Sequence, residues 1–482
     1  MIDLRPILFV LGILLVTLAV AMVAPALADA MSGNPDWQVF ATSAALTLFV
    51  GVTLMLSNRA RVRRLTLRQT FVLATMIWVV LTGFAAVPFA VADLGLSLTD
   101  AVFEAISGVT TTGSTVIVGL DRAPDGILLW RAVLQWLGGI GILVMAVAVM
   151  PLLSVGGMQL FRVEAFETPE KVLPRTAEIS AGITFIYVGL TALWSIALWL
   201  AGMSGFDAAS HAMTTIATGG FSTRDASVGA FDSRLIEVII VLGMLVGSLP
   251  FVLYLQTVRG NLGALMRDSQ VRWFLGIALG SAFAVAVWQW AKSDAPLDKA
   301  LVASAFNSIS IMTGTGYTSG DFQAWGAMPT IVIFFLMFVG GCAGSTACGI
   351  KVFRFQILYY SAVAQVHGMI RPHGVFVVKF NRRPVPDAVT GAVMGFFFLF
   401  LTTFTLLALA LGALGLDFMT AIGAAATAIC NVGPALGEIA GPSGNFAALP
   451  DAAKWLLAAG MLLGRLELFT VLVLFSRTFW RG

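Results

Sequence analysis

Charge is scarce in this sequence. Of its 482 residues, 11% are Asp, Glu, Lys or Arg, whereas soluble domains carry about 25%. A chain so poor in solvating side chains cannot clothe itself in water-facing surface. The net charge of +3 leaves no basic surplus for nucleic acid, and no nucleic-acid partner is expected. Cysteine is scarce too. Cys342, Cys348 and Cys430 are too few for a disulfide framework, and the C-x5-C pair fits no zinc or redox spacing. The histidines (His211, His367 and His373) are scattered, so neither a metal centre nor a nucleophile–base pair is on offer. The chain is expected to be no enzyme and to hold no cofactor of its own.

What abounds is apolar. Hydrophobic residues make up 59% of the chain, and the mean hydropathy is +0.93. Stretches near the ~20 residues that cross a bilayer fall at 6–27, 38–57, 71–92, 128–152, 179–202, 235–255, 273–291, 327–365 (interrupted), 386–414 and 453–479. The first precedes a small-residue pattern, PALADA, that could end a signal peptide. Its apolar run, Ile7–Leu27, is longer than a signal h-region, which favours a retained span.

Basic residues orient these spans. The NRARVRRLTLR loop carries Arg59, Arg61, Arg63, Arg64 and Arg68 without an acid. The stretch from Lys351 to Arg383 adds Arg354, Arg371, Lys379 and Arg382, and Arg259, Arg267 and Arg272 face only Asp268. By parity these loops share one side, the expected cytoplasm, with both termini. The 159–178 loop is the exception, with Glu164, Glu167, Glu170 and Glu178 against Arg162, Lys171 and Arg175. The opposite face holds fifteen acids against six bases in 93–125, 205–237, 292–321 and 417–454. Such a surplus suits either an ordinary solvated face or a funnel that concentrates cations.

Each outer segment contains a Thr/Gly-rich turn: VTTTGST (Val109–Thr115), IATGGFS (Ile216–Ser222), MTGTGYT (Met312–Thr318) and CNVGPAL (Cys430–Leu436). Aligned, they share Gly113, Gly220, Gly316 and Gly433, and six residues before each stands a hydroxyl: Ser107, Thr214, Ser310 and Thr427. A repeat near 100 residues, reading span–half-helix–turn–span, is a statement about fold. Asp100, Asp207 and Asp417 precede their glycines by 13, 13 and 16 residues, as suits acids at helix N-termini. Asp298 lies 18 residues before Gly316, so the third half-helix is longer or begins differently. The turn that follows is irregular backbone at membrane depth, tolerated only when buried in protein or lining an aqueous path.

Glycine and threonine suit such a path. Rings of carbonyl oxygens can replace an ion's hydration shell, and they align only where some residues take φ > 0, which glycine accepts. Oxygen ligands without clustered carboxylates suit a monovalent cation better than Ca²⁺. One such motif would read as a small-residue packing face; four in register read as a filter. The expected architecture is an all-α membrane protein: four tandem helix–pore helix–helix repeats in pseudo-fourfold arrangement, plus two extra N-terminal transmembrane helices. The units run 1–64 (the N-terminal pair), 65–158, 159–260, 261–372 with a broken second helix, and 373–482.

The four turns, the NRARVRR loop and GGCAGSTACGIK (Gly340–Lys351) together resemble the TrkH/KtrB/HKT superfamily of K⁺ transporters, over the whole chain. The resemblance implies K⁺ uptake across the cell inner membrane, with K⁺ as the bound, transported ion and symport among the modes. It implies a homodimer in membrane lipid, one pore per subunit, gated by a cytoplasmic nucleotide-binding regulatory ring (TrkA-like). Carried over by position, the filter residues are Thr111, Thr112 and Gly113; Thr218, Gly219 and Gly220; Thr315 and Gly316; Asn431, Val432 and Gly433. Glycine at position 113, where plant relatives that carry Na⁺ have serine, favours K⁺. The fourth turn departs from the Thr-Gly pattern, so the filter is pseudo-symmetric.

Below the filter, Gly340, Gly341, Gly344, Ser345, Thr346 and Gly349 interrupt the eighth span, and no continuous helix favours that composition. A small-residue packing face is one reading; the resemblance makes the segment an obstructing intramembrane loop. Cys342 and Cys348 are expected only to fill space there. Arg465 lies deep in the last span, where a charge must face water or a partner. It either limits cation occupancy beneath the filter or pairs with Glu467 of a neighbouring helix or subunit. His211 is expected to be hydrogen-bonded packing, and Val375–Val385 to form a short hairpin. The competing function is an ion-coupled secondary transporter, which calls for inverted repeats and intramembrane carboxylates.

Overall fold

The structure, a computed structural model, describes residues 3–59, 65–148, 157, 172–292 and 296–481. Most of the NRARVRR loop, most of the 159–178 loop and the boundary at 158/159 lie outside the described residues. Every expected apolar stretch is mainly helical over its described residues. Arg5–Ala21 continues almost directly into Val23–Ser32, and Trp37–Ser57 completes the N-terminal pair. The two cross where a Cβ on Gly12 would lie 2.7 Å from the Gly51 carbonyl oxygen, a contact only small residues permit. Leu67–Val91, Asp125–Ala148, Val172–Leu200, Ser269–Lys292 and Asp387–Ala413 are further uninterrupted spans.

Three spans are broken. Arg234–Gly247 meets Phe251–Val258 at 92°, and Asp451–Arg465 meets Phe469–Phe475 at 104°. Neither break is anticipated by the apolar pattern, because both halves of each span are apolar enough to be read as one stretch. The interrupted eighth span does split as expected, into Ala327–Phe338 and Val352–Ile370 around Gly340–Gly349.

Between the spans of each repeat lies a half-helix: Leu98–Val109, Gly205–Ile216, Leu297–Met312 and Phe418–Cys430. Their 12, 12, 16 and 13 residues reach about 18–24 Å at 1.5 Å per residue, short of the ~30 Å hydrocarbon layer. Local chemistry starts each one. Ser97 and Asp100 form a reciprocal capping box, Ser204 accepts the Asp207 amide at 3.0 Å, and Asp417 accepts the Thr420 amide at 3.0 Å. The third, the longest, follows Pro296, and its Asp298 pairs with Arg234 at 2.5 Å. The half-helices form the buried centre, while spans such as Asp387–Ala413 turn most of their surface outward to lipid. Lys379–Phe380 and Arg383–Pro384 pair as the expected short hairpin.

Candidate functional site

The four half-helices end in one backbone pattern. The residue before each key glycine donates its amide to the carbonyl of the hydroxyl residue five positions earlier: Thr112 to Ser107 (2.8 Å), Gly219 to Thr214 (2.8 Å), Thr315 to Ser310 (2.9 Å) and Val432 to Thr427 (3.1 Å). Two positions per turn then take positive φ. These are Thr111 (53°) and Gly113 (87°), Thr218 (50°) and Gly220 (75°), Gly314 (72°) and Gly316 (80°), Asn431 (53°) and Gly433 (108°). A β-branched Thr in that region is strained by about 1–3 kcal/mol and persists only where its surroundings demand it. Gly314, unflagged in the sequence reading, occupies the column of Thr111, Thr218 and Asn431.

The turns face one another in cyclic order. A Cβ on Gly113 would lie 2.3 Å from the Gly219 carbonyl oxygen; on Gly220, 1.8 Å from that of Thr315; on Gly316, 1.8 Å from that of Val432; on Gly433, 2.9 Å from that of Thr112. Repeat one touches two, two touches three, three touches four and four touches one. All four glycines line a single cavity of about 70 Å³. The sequence-picked residues are thus brought together, with the carbonyls of Thr112, Gly219, Thr315 and Val432 forming one ring.

The conserved register of hydroxyls has an alternating use. Ser107 donates to the Ser114 carbonyl at 2.6 Å and Ser310 to the Tyr317 carbonyl at 2.7 Å, tying the outer end of turns one and three to their own half-helices. Thr214 instead meets the Tyr317 hydroxyl, and Thr427 finds no side-chain partner. Inner hydroxyls alternate likewise, with Thr110 to Thr112 at 2.7 Å and Thr313 to Thr315 at 2.8 Å. The fourth turn compensates with an amide: Asn431 Nδ2 donates to Thr112 Oγ1 and to the Met461 carbonyl, both at 2.9 Å.

Behind the ring stand residues that sequence reasoning missed. Arg131, inside the fourth span and 1% exposed, pairs with Glu104 at 2.8 Å, donates to the Ser222 carbonyl at 2.6 Å and stacks over Phe221 at 4.0 Å. Gln135, one turn on, donates to the Gly219 carbonyl at 2.6 Å and accepts the Phe221 amide at 2.9 Å. An intramembrane Arg with a polar residue at i+4 was the available signal. His211 is fully buried between the Asp207 carbonyl (2.8 Å) and Ser222 (2.9 Å), as packing would have it.

The acidic outer face is only partly a funnel. Glu104 is buried against Arg131, Asp100 holds Lys454 at 2.6 Å, and Asp207 holds Arg224 at 2.9 Å. These carboxylates fasten the half-helices instead of facing solvent; Asp121, Asp225 and Asp232 remain exposed.

Gly340–Gly349 lies directly under the turns. Thr346 donates to the carbonyls of Ile216 (2.9 Å) and Gly247 (2.8 Å) and accepts from Thr218 at 3.3 Å; Cys348 Sγ is 3.6 Å from Thr111 Oγ1. The break in the sixth span receives the loop, because the Cys342 amide donates to the Ser248 carbonyl (3.0 Å) and the Phe251 amide to the Gly344 carbonyl (2.9 Å). Its ends close against each other: the Gly340 amide bonds the Ile350 carbonyl at 2.9 Å, and a Cβ on Gly340 would lie 1.9 Å from the Cys348 carbonyl oxygen. Gly341 packs on Ser248, and Ser345 donates to the Cys342 carbonyl at 2.6 Å.

Arg465 is 3% exposed and binds this loop. It donates to Cys348 Sγ at 2.7 Å, to the Thr346 carbonyl at 3.4 Å and to the Gly138 carbonyl at 3.1 Å. Cys348 is therefore a hydrogen-bond acceptor and not a space filler. Pairing of Arg465 with Glu467 does not occur within the chain, because the span ends at Arg465 and Glu467 and Leu468 take φ of 55° and 54°. That bend turns Glu467 to Arg354, with which it forms a buried ion pair. Beneath the loop, Lys351, Arg465 and Glu467 border a cavity of about 20 Å³, room for about one water. Among the described residues no three His, Cys, Asp or Glu side chains could hold a metal.

Known proteins resemble this chain in sequence and fold. A model of the TrkH family, described as cation transport protein, matches residues 36–481. The Trk system potassium uptake protein TrkI of Halomonas elongata is 46% identical over 479 residues, 99% of this chain and 97% of its own length. The Trk system potassium uptake protein TrkH of Vibrio parahaemolyticus is 39% identical over 99% of each chain. A crystal structure of the potassium transporter TrkH from Vibrio parahaemolyticus superposes with a TM-score of 0.92 at 37% identity, covering 99% of this chain and all of that one.

Proposed function

This chain belongs to the TrkH family of cation transport proteins, and from that premise we propose that it takes up K⁺ across the cytoplasmic membrane through the ring at Gly113, Gly220, Gly316 and Gly433. The observation that carries the reading is the cyclic contact of the four turns, each glycine against the next turn's carbonyl. The carbonyls of Thr112, Gly219, Thr315 and Val432, with oxygens of Thr111, Thr218 and Asn431 below, take the place of part of the ion's water shell. The half-helices aim their negative C-terminal ends at the same centre. Beneath it the Gly340–Gly349 loop obstructs the path, and the Arg465 cation repels an ion that would rest there.

The five-unit division, the cytoplasmic termini, the homodimer and the regulatory ring belong to the same reading, supported by the basic loops on one side and the family resemblance. An ion-coupled secondary transporter is not favoured. The repeats run parallel, and two of the buried carboxylates, Glu104 and Glu467, are already ion-paired with Arg131 and Arg354.

Radioactive rubidium flux into proteoliposomes, with K⁺, Na⁺ and Li⁺ as competitors, tests the assignment. K⁺ should compete strongly and Na⁺ weakly; equal competition would remove the K⁺ filter. Deleting part of Gly340–Gly349 should raise basal flux, and a folded but silent deletion would remove the gate.

A further inference from the structure

We propose that an anionic phosphate ester, delivered by a phospholipid headgroup, binds the basic cleft between the Phe251–Val258 helix, the start of the Ser269–Lys292 span, the end of Val352–Ile370 and the 375–385 hairpin. The cleft has a volume of about 1270 Å³. Arg267, Arg272, Lys379 and Arg382 line it, all exposed and none in an ion pair among the described residues.

The single acid in the lining, Asp268, is spent. It accepts the Gln270 amide at 2.8 Å and the Asn381 side chain at 2.9 Å, while Asn381 accepts the Ser269 amide at 2.9 Å. These bonds stitch the hairpin tip to the span, so the cleft wall is built and its charge is positive. An uncompensated basic pocket between helix ends is the pattern that holds anionic headgroups.

A second observation sets the depth. Trp273, Tyr359 and Tyr360 cluster beside the cleft, with ring centroids 5.5 to 6.0 Å apart. Aromatic rings of this kind sit at headgroup level. The cleft also has an apolar side, from Leu253 to Val363 and Val375, and Val375 is 90% exposed. A soluble phosphate compound has no use for that surface; the glycerol and upper acyl segments of a lipid cover it.

The test places the full chain in nanodiscs of phosphatidylcholine alone or of an equimolar mixture with phosphatidylglycerol, and reads the thermal midpoint and the lipid retained in native mass spectrometry. Wild type should be stabilised by the anionic lipid and retain it on delipidation. Replacing Arg267, Arg272, Lys379 and Arg382 by Gln should weaken retention at least about tenfold; Arg272→Gln with Arg382→Gln serves if the fourfold variant does not fold. An Arg59→Gln, Arg68→Gln control should leave retention unchanged. The proposal is overturned if the cleft variants retain phosphatidylglycerol as wild type does, or if the control loses it equally. It is also overturned if soluble glycerol phosphate in phosphatidylcholine discs reproduces the stabilisation. A cleft variant that keeps its lipid response but loses association with a second copy or a soluble protein would make the cleft a protein interface.

Discussion

Alanine and serine at the four filter glycines should do graded damage, in an order set by the space each Cβ would meet. Real Cβ atoms essentially never approach another heavy atom within 3.0 Å. At Gly220 and Gly316 the facing carbonyl oxygen would have to retreat by about 1.2 Å, at Gly113 by about 0.7 Å and at Gly433 by about 0.1 Å. All four also carry positive φ, which costs a substituted residue about 1–2 kcal/mol wherever it falls. The displaced oxygen is one of the ring, so in the proposed filter the two severe sites would lose an ion ligand as well. A contact to a charged group is worth about 1.5–3 kcal/mol, which at about 1.4 kcal/mol per decade is a tenfold to hundredfold loss. Gly220→Ala and Gly316→Ser should therefore lower rubidium flux and its preference over Na⁺ by roughly that factor. Gly113→Ser should fall between, and Gly433→Ala should stay within about threefold of wild type. The assay is competitive rubidium uptake into proteoliposomes, with a thermal melt to establish folding. Folded Gly220→Ala with unaltered selectivity, or Gly433→Ala as damaging as Gly220→Ala, would refute the ring.

Thr346→Val removes the hydroxyl whose single proton is shared between the Ile216 and Gly247 carbonyls; at about 0.5–1.5 kcal/mol for one buried hydrogen bond, basal flux should rise about twofold to tenfold, and unchanged flux would count against a displaceable loop. Glu467→Gln removes the carboxylate that pairs with the buried Arg354 cation and should destabilise the fold by up to about 3–5 kcal/mol; a melting point within a degree of wild type would show that the pair carries no weight. Burial alone would raise the Asp100 carboxyl, but hydrogen bonds from Lys454 and Ser97 and the Lys454 charge hold it below the ordinary carboxylate value. Its contribution is complete at neutral pH and is lost as pH falls through that lowered value, so thermal stability should drop below about pH 4. Replacing Asp100 with Asn and Lys454 with Met together should flatten that acid limb; an unaltered limb would assign it to other groups.

By itself the sequence determined the membrane class, the ten apolar stretches, the fourfold repeat and the four turn glycines that the fold brings together. These are properties of composition and spacing: bilayer thickness sets the length of an apolar run, and a turn of positive φ writes its glycine at a fixed place in each repeat. Gly113, Gly220, Gly316 and Gly433 were legible for that reason, as were the acids that start the half-helices. Only tertiary structure decided who meets whom. That Arg131 and Gln135 brace the second turn, that Cys348 accepts from Arg465, and that Glu467 turns away to Arg354 all depend on groups far apart in the chain. The breaks at Ser248–Pro250 and Leu466–Leu468 were equally hidden, because each bent pair is still apolar enough to be read as one span. Charges counted along the chain left an acidic mouth open as a reading; charges placed in space pair Glu104, Asp207 and Asp100 with basic partners, since burying a carboxylate demands a partner that only folding supplies.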